Sequence, residues 1–188
     1  TMTALYVFIG IIVLLAVLVI SIFNKFVSNK NLVKDAWSNI DVALKRRHDL
    51  IPNLVNTVKG YATHEQETLS KVIEARTTAM SASSGDINDQ IKAENALQST
   101  LRSLFAIAEA YPDLKANQNF LDLQQKLNEI EENLERSRRY YNSTVRVNNT
   151  YGESFPGVIF AGMFNYTHFD YFEVDAVERE NVTVDFNN

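Results

Sequence analysis

An apolar run near the N-terminus constrains this chain more than any other feature of its sequence. Residues 4–20 carry no charged or amide side chain, and the run reaches Phe23 with only Ser21 interrupting it. About 20 apolar residues in a helix span the hydrocarbon core of a bilayer. We therefore expect residues 4–23 to form an uncleaved transmembrane anchor in contact with the lipid bilayer.

Two other interpretations of the run have less support. A cleaved signal peptide would carry a basic region before the run and a small-x-small cleavage pattern after it, and neither is present. A buried core helix is disfavoured because the run is apolar on every face. Lys25, Lys30 and Lys34 follow the run and no basic residue precedes it. Under the positive-inside rule, we expect the N-terminus outside and the rest of the chain in the cytoplasm.

Three amphipathic stretches follow the anchor. The first covers about residues 28–80, the turn 81–86 ends it, Asp86 caps the second, and Asp113 caps the third after Pro112. Short connections between long amphipathic helices predict antiparallel neighbours. The expected fold class is therefore all-α, with an N-terminal transmembrane helix followed by an antiparallel up-and-down bundle of long helices. The apolar stripes are Trp37, Ile40, Leu44, Ile51, Leu54, Val58, Ala62, Leu69 and Val72; Ile87, Ile91, Leu97, Leu101, Leu104, Ala108 and Tyr111; and Leu114, Phe120, Leu123, Leu127, Ile130, Leu134, Tyr141 and Val145.

Two residues inside the first stretch disfavour a helix. Pro52 removes a backbone donor, so we expect either a kink or a break near residues 48–52, and a restarted helix would be capped by Asp49. Gly60 costs about 1 kcal/mol relative to alanine. We expect residues 37–76 to continue through Gly60 as one long helix.

The composition changes from about residue 148. Residues 151–172 hold glycines, a proline and many aromatics, and Val182 and Val184 then alternate with polar neighbours as in an extended chain. Residues 148–188 hold seven acids and one arginine, whereas residues 24–60 hold seven bases and three acids. We therefore divide the chain into an anchor at 1–27, a helical bundle at 28–147 and an aromatic, acidic, partly extended tail at 148–188.

No residue set points to catalysis, a metal or a cofactor, so we expect a protein that is not an enzyme. His64 and Glu65 begin like the zinc-protease pattern HExxH, but Thr68 and Leu69 stand where the second histidine would be. The glutamates at 129–135 lack the histidine three positions after a carboxylate that a di-metal ExxH site needs.

The basic run 45–48 is the sharpest charged cluster. It could contact anionic headgroups or a partner's carboxylates, but a straight helix puts Lys45 about 30 Å beyond Phe26. Solvation, or pairing within the chain beside Pro52, is the favoured interpretation, and the same alternatives hold for Arg136, Arg138 and Arg139. Nucleic acid is disfavoured by a pI near 5.2.

The chain resembles the LemA family of bacterial membrane proteins. The resemblance is carried by residues 36–76, by residues 93–149, and by the short motifs Phe155-Pro156 and Tyr171 to Glu173. It implies one N-terminal transmembrane helix in the bacterial cytoplasmic membrane, a small external N-terminus and a cytoplasmic helical bundle. It carries over no catalytic or binding residue.

These observations predict a non-catalytic, membrane-anchored helical scaffold that binds partner proteins or itself. The alternative is a structural subunit of a filament or ring, and a hydrolase or protease regulator has the least support. Residues 155–172 hold seven aromatics, which must cover the chain's own bundle, a second copy or the membrane interface. We expect a homo-oligomer with this segment in the contact, because an anchor confines copies to a plane. Other membrane proteins are further candidate partners.

Overall fold

The structure is a computed structural model that describes residues 2–173, and that part of the chain is helical with no strand. This confirms the all-α fold class. The extended pattern predicted around Val182 and Val184 lies outside the described residues. In chain order the helices are α1 (Met2–Lys59), α2 (Gln66–Ala82), α3 (Ile87–Ala108), α4 (Pro112–Lys115), α5 (Gln118–Glu153) and α6 (Gly157–Phe160).

By their contacts, the described residues form two units. Residues 2–42 and 134–171 form one, called here the anchor unit, and residues 43–133 with 172–173 form the other, called the helical unit. The division predicted from the sequence, after residues 27 and 147, follows composition along the chain rather than contacts. It stays a prediction.

In the helical unit, α2 and α3 pack against each other and are joined by a turn of only four residues, so they are antiparallel. Their apolar faces share one core with residues from α1, α4 and α5 in this unit. The core contains the predicted stripe residues Ile51, Leu54, Val58, Ala62, Leu69, Val72, Leu97, Leu101, Leu104, Ala108, Leu114, Phe120 and Leu127.

In the anchor unit, α1 and α5 run antiparallel. Phe26 contacts Tyr151 with ring centroids 5.0 Å apart, and Trp37 contacts Tyr141 at 5.3 Å. One residue number rises as the other falls, which is the signature of antiparallel neighbours. The side chains of residues 2–18 are all exposed. This part of α1 is long and apolar enough to cross a membrane.

The structure corrects the expectation of one helix through residues 37–76. The chain turns at residues 60–65, where the amide of Ala62 donates to the carbonyl of Val58, and α2 starts at Gln66. The turn returns α2 to the same core as α1, and burying Leu69 and Val72 there outweighs the helix propensity lost. At Pro52, by contrast, α1 continues without a break, so the helix does not restart.

The predicted helix ends are partly correct. Asp86 stands at the N-cap of α3 with extended backbone, although its side chain makes no capping hydrogen bond. Asp113 does not cap the long third helix, because it lies inside the short α4. Asn117 takes that role, since its Oδ1 accepts from the amide of Phe120 at 3.0 Å. The helix then continues to Glu153, beyond the predicted end of the bundle at 147.

Candidate functional site

A cluster of charged side chains lies buried in the helical unit. Arg47 on α1 places Nη2 2.5 Å from Oε2 of Glu94 on α3, and Nη1 2.7 Å from Oε1 of Glu131 on α5. His48 places Nε2 2.7 Å from the other oxygen of Glu94. Because an ionised carboxylate only accepts hydrogen bonds, Nε2 of His48 is the donor. We call these four residues the charged cluster.

Electrostatics in the charged cluster favour the ionised forms of Arg47 and Glu94. Burial lowers the pKa of Arg47, but the carboxylates of Glu131 and Glu94 outweigh it and leave that pKa above its ordinary value. Burial raises the pKa of Glu94, but the hydrogen bond from His48 and the charge of Arg47 together lower it below its ordinary value. The oppositely charged neighbours therefore keep Arg47 and Glu94 ionised despite their burial.

Residues from three helices, α1, α3 and α5, form the charged cluster. The spacing of apolar residues along α1 explains why its two members point inward. Arg47 and His48 fill the gap between Leu44 and Ile51 in the stripe of α1, so the helix turns them inward. A further contact comes from α2, where Nε of Arg76 donates to the carbonyl of His48 at 2.8 Å. The cluster thus ties α1, α2, α3 and α5 together inside this unit.

The charged cluster resolves the alternatives left open for the basic run. Arg47 and His48 are paired within the chain, whereas Lys45 and Arg46 are exposed. Of the three arginines on α5, Arg138 is buried in the anchor unit and Arg139 forms an exposed pair with Glu135 at 2.8 Å. Pairing within the chain therefore accounts for Arg47 and His48 of the basic run and for Arg139 of the second set.

Sequence reasoning missed Glu94, although a signal was present. Glu94 lies between Ile91 and Leu97 on the apolar face of α3, and a charge on that face is rarely buried without a partner. The seven-position step from Leu44 to Ile51 in the stripe of α1 was the matching signal, because the inward positions within it, 47 and 48, hold a base and a histidine. The two gaps together would have predicted a buried ion pair.

The residues considered for metal or protease chemistry are not brought together. His64 is exposed in the turn before α2, and Glu65 accepts a hydrogen bond from the hydroxyl of Tyr111 at 3.3 Å. Glu129 lines an open groove of about 390 Å³ with Arg46, Asp49 and Lys126. Within residues 2–173, no three His, Asp or Glu side chains are grouped as a metal site would require.

A second arrangement, in the anchor unit, holds the chain after α5 in place. Asn149 donates to the carbonyl of Phe169 at 2.8 Å and accepts from its amide at 3.2 Å. Asn148 donates to the carbonyl of Thr167 at 2.9 Å, and the hydroxyl of Tyr141 donates to that of Asp170 at 3.0 Å. Three side chains of α5 therefore clamp residues 167–170 through their backbone.

The residues just before the clamped segment pack aromatic rings against α1. Phe164 contacts Phe23 at 5.2 Å between ring centroids, and Tyr166 contacts Phe26 at 6.0 Å. Burial, and next the carboxylate of Glu153, raise the pKa of Tyr166 to about 12. Its ring lies directly on Gly152, where an added Cβ would come within 2.3 Å of Tyr166 Cε2.

The chain between α5 and the clamped segment leaves an apolar surface uncovered. Phe155 is 81% exposed, Ile159 is 62% exposed and Met163 is 72% exposed, with Val158 beside them at 42%. We call these four residues the C-terminal patch. Phe169 and Phe172, in contrast, are buried within the described chain. Part of the predicted aromatic contact is therefore made by the protein with itself, and self-association stays a prediction.

Comparison with known proteins gives a consistent result. The model of the LemA family matches residues 36–186. Among curated proteins, the chain is similar to Protein LemA of Metamycoplasma hominis, with 29% identity over 119 residues. That match covers 63% of this chain and 54% of the relative, so the chain spans about half the length of that protein.

Proposed function

Since the chain belongs to the LemA family, we propose that it is a non-catalytic, membrane-anchored helical scaffold that binds partner proteins, first of all a second copy of itself. The observation that carries the proposal is the C-terminal patch. Apolar side chains of this size are rarely left together on a surface unless they meet a partner. The chain that follows the patch is held to α5 through the backbone of residues 167–170, which limits the entropy that a docking surface loses on binding.

Anchoring is supported by the N-terminal part of α1. Its exposed, uncharged side chains would be costly in water and are stable in hydrocarbon, whereas a core helix would bury them. Lys25, Lys30 and Lys34 follow the span, so the positive-inside rule favours the rest of the chain on the cytoplasmic side. The proposed location is the bacterial cytoplasmic membrane, with the N-terminus outside.

The proposal that the scaffold is non-catalytic is supported by the state of the charged cluster. Both oxygens of Glu94 already accept hydrogen bonds, one from Arg47 and one from His48. A general base or nucleophile needs a free position toward a substrate. Glu94 instead uses both of its carboxylate oxygens to join α3 to α1.

Two features together support self-association: the exposure of the C-terminal patch and the membrane anchor. An anchor confines copies to the plane of the membrane, which raises their effective concentration, so a modest apolar contact is sufficient. Burying Ile159 and Met163 at such a contact would contribute about 1.5–3 kcal/mol for each fully buried side chain. The contact proposed is therefore between the patches of neighbouring copies.

The experiment compares assembly masses in one mild detergent by mass photometry. The patch variant is Ile159→Ser with Met163→Ser, and its matched control is Ile73→Ser with Met80→Ser, which removes the same exposed residue types from α2. We expect the wild type and the control to form oligomers and the patch variant to shift toward the monomer. Equal masses for all three proteins would remove the patch as the self-contact.

Electron microscopy of the same sample distinguishes the scaffold from the alternative function, a structural subunit of a filament or ring. Electron microscopy of extended particles with helical order would favour a filament subunit, and closed rings would favour a ring. Discrete small oligomers would favour the scaffold. A monomer at every concentration would leave other membrane proteins as the remaining class of partner.

A further inference from the structure

An open groove lies in the anchor unit between the facing sides of α1 and α5. It has a volume of about 390 Å³ and is lined by Lys25, Asn29, Arg146, Val147, Thr150, Tyr151 and Ser154. Lys25 and Asn29 are four residues apart on α1, and Arg146, Thr150 and Ser154 follow the same spacing along α5. Residues spaced by four share one face of a helix. Two antiparallel helices therefore present cations, hydroxyls and an amide to one place. We call it the juxtamembrane groove.

The cations of the groove are not neutralised by the rest of the described chain. Neither Lys25 nor Arg146 forms an ion pair with any residue of 2–173. Glu153, the acid nearest to the groove in sequence, is instead 3.1 Å from His168 through Oε1. The groove therefore has two basic side chains that no described carboxylate pairs with. The C-terminal end of α5 contributes only about half a negative charge.

A buried donor without a partner also lines the groove. Asn29 is 4% exposed, and its Nδ2 makes no hydrogen bond to any described residue. An unsatisfied buried amide costs about 1–3 kcal/mol, so such groups nearly always have a partner. Thr150 and Ser154 add hydroxyl groups at the same place. Cations, hydroxyls and an amide donor are the groups that bind phosphate oxygens.

The position of the groove along α1 points to one source of phosphate. Lys25 follows the last apolar residue of the run, Phe23, by two residues, and Asn29 follows it by six. At 1.5 Å per residue these are about 3 Å and about 9 Å along the helix. The headgroup layer of a bilayer begins where the hydrocarbon core ends and is about 5–7 Å deep on each side. With α1 crossing the membrane, the end of the groove at Lys25 lies at the level of the phospholipid headgroups, and Asn29 lies just beyond their aqueous edge.

We propose that the juxtamembrane groove binds a phosphate ester anion through Lys25, Arg146 and the free amide of Asn29. Acidic phospholipid and free phosphate share this chemistry, and the lipid source rests on the proposed membrane anchoring. Bound there, an acidic headgroup would bridge α1 and α5 and complete the hydrogen bonding of Asn29.

The test measures lipid binding by the full chain in mild detergent, using native mass spectrometry during titration with phosphatidylglycerol. The groove variant is Lys25→Gln with Arg146→Gln. The matched control is Lys34→Gln with Arg136→Gln, which removes one exposed lysine from α1 and one exposed arginine from α5 outside the groove. We expect about 25-fold weaker binding for the groove variant, since each of the two bases near an acidic headgroup contributes about a fivefold gain. The control should stay within about twofold of the wild type. Equal affinity for all three proteins would overturn the proposal.

Two further measurements are needed. Competition with inorganic phosphate identifies the source of the bound phosphate, and vesicle flotation tests the membrane anchoring independently. Inorganic phosphate that binds the wild type, displaces the lipid and is lost with the groove variant would support the site and assign it to free phosphate. No displacement, with the lipid result as expected, assigns it to phospholipid. Flotation with phosphatidylcholine vesicles after an alkaline wash tests anchoring alone. If the wild type is washed off the vesicles, the proposed anchor fails whether or not the groove binds phosphate.

Discussion

Arg47 and Glu94 form a buried ion pair in which Nη2 lies 2.5 Å from Oε2, with 1% and 3% of their side chains exposed. They are 47 residues apart in sequence, on α1 and α3. Moving one isolated charge into a protein interior costs several kcal/mol, so each residue is tolerated there only because the other neutralises it. The pair therefore specifies which face of α3 meets which face of α1.

The first prediction concerns the loss of one partner. Arg47→Met leaves Glu94 buried without its strongest cation, and we expect a loss of about 3–5 kcal/mol in the free energy of unfolding. The neighbouring Arg46 is exposed, so Arg46→Met should change that free energy by less than about 0.5 kcal/mol. Denaturant unfolding of the full chain in mild detergent, followed by circular dichroism, measures both. Equal midpoints for the two variants would contradict the structural role given to Arg47.

The second prediction concerns pH. The pKa of Glu94 is lowered in the folded protein, so the folded state holds fewer protons than the unfolded state around the ordinary value of 4.5. The stabilisation from this group is complete above that value and is lost as pH falls through the folded pKa. We expect Glu94→Gln to be less stable than the wild type near neutral pH. The difference should shrink as the pH is lowered below about 4.5.

Unfolding midpoints of the two proteins, measured from about pH 6 to about pH 3, test this dependence. Glu132→Gln is the control, because Glu132 is an exposed glutamate on α5. That variant should follow the wild type throughout. A constant difference between Glu94→Gln and the wild type at every pH would show that the charge of Glu94 does not stabilise the fold.

The third prediction concerns the chain between α5 and the clamped segment. A Cβ on Gly157 would lie 2.0 Å from the carbonyl oxygen of Tyr151, whereas a Cβ on Gly162 would meet nothing within 4 Å. We expect Gly157→Ala to destabilise the packing of this segment by about 1–3 kcal/mol and Gly162→Ala to have little effect. Hydrogen exchange at the amide of Phe169, which donates to Asn149, measures the local stability. Full protection of that amide in Gly157→Ala would contradict the close approach.

The sequence specified the faces of the helices better than their ends or partners. Every predicted stripe residue from Trp37 to Val72 is buried, because a period near 3.6 identifies one face regardless of what covers it. The turn at Gly60 was not predicted, since propensity is a weak guide when folding back buries more apolar surface. Periodicity also gives no information about which helix meets which. Glu94 was therefore not found as the partner of Arg47.

The C-terminal segment shows the same limit. Its aromatic content predicted that it must cover something, and Phe169 and Phe172 are indeed buried. Which aromatics turn inward depends on the clamp by Asn149, whose two hydrogen bonds fix the backbone at Phe169. Nothing in the local sequence marks Asn149 for that role. The exposed C-terminal patch could be identified only once the segment was placed.

Both the self-contact in the plane of the membrane and the lipid source of phosphate depend on α1 crossing the bilayer. The chain has no cysteine, so single cysteines can report the side on which a residue lies. Thr3→Cys is exposed at the N-terminal end of α1, and Ser83→Cys is exposed in the turn between α2 and α3. In intact cells, a membrane-impermeant thiol reagent should label Thr3→Cys and leave Ser83→Cys unlabelled until the cells are opened. Labelling of Ser83→Cys in intact cells, with a cytosolic control protein protected, would contradict the orientation. Protection of both positions would contradict the crossing itself.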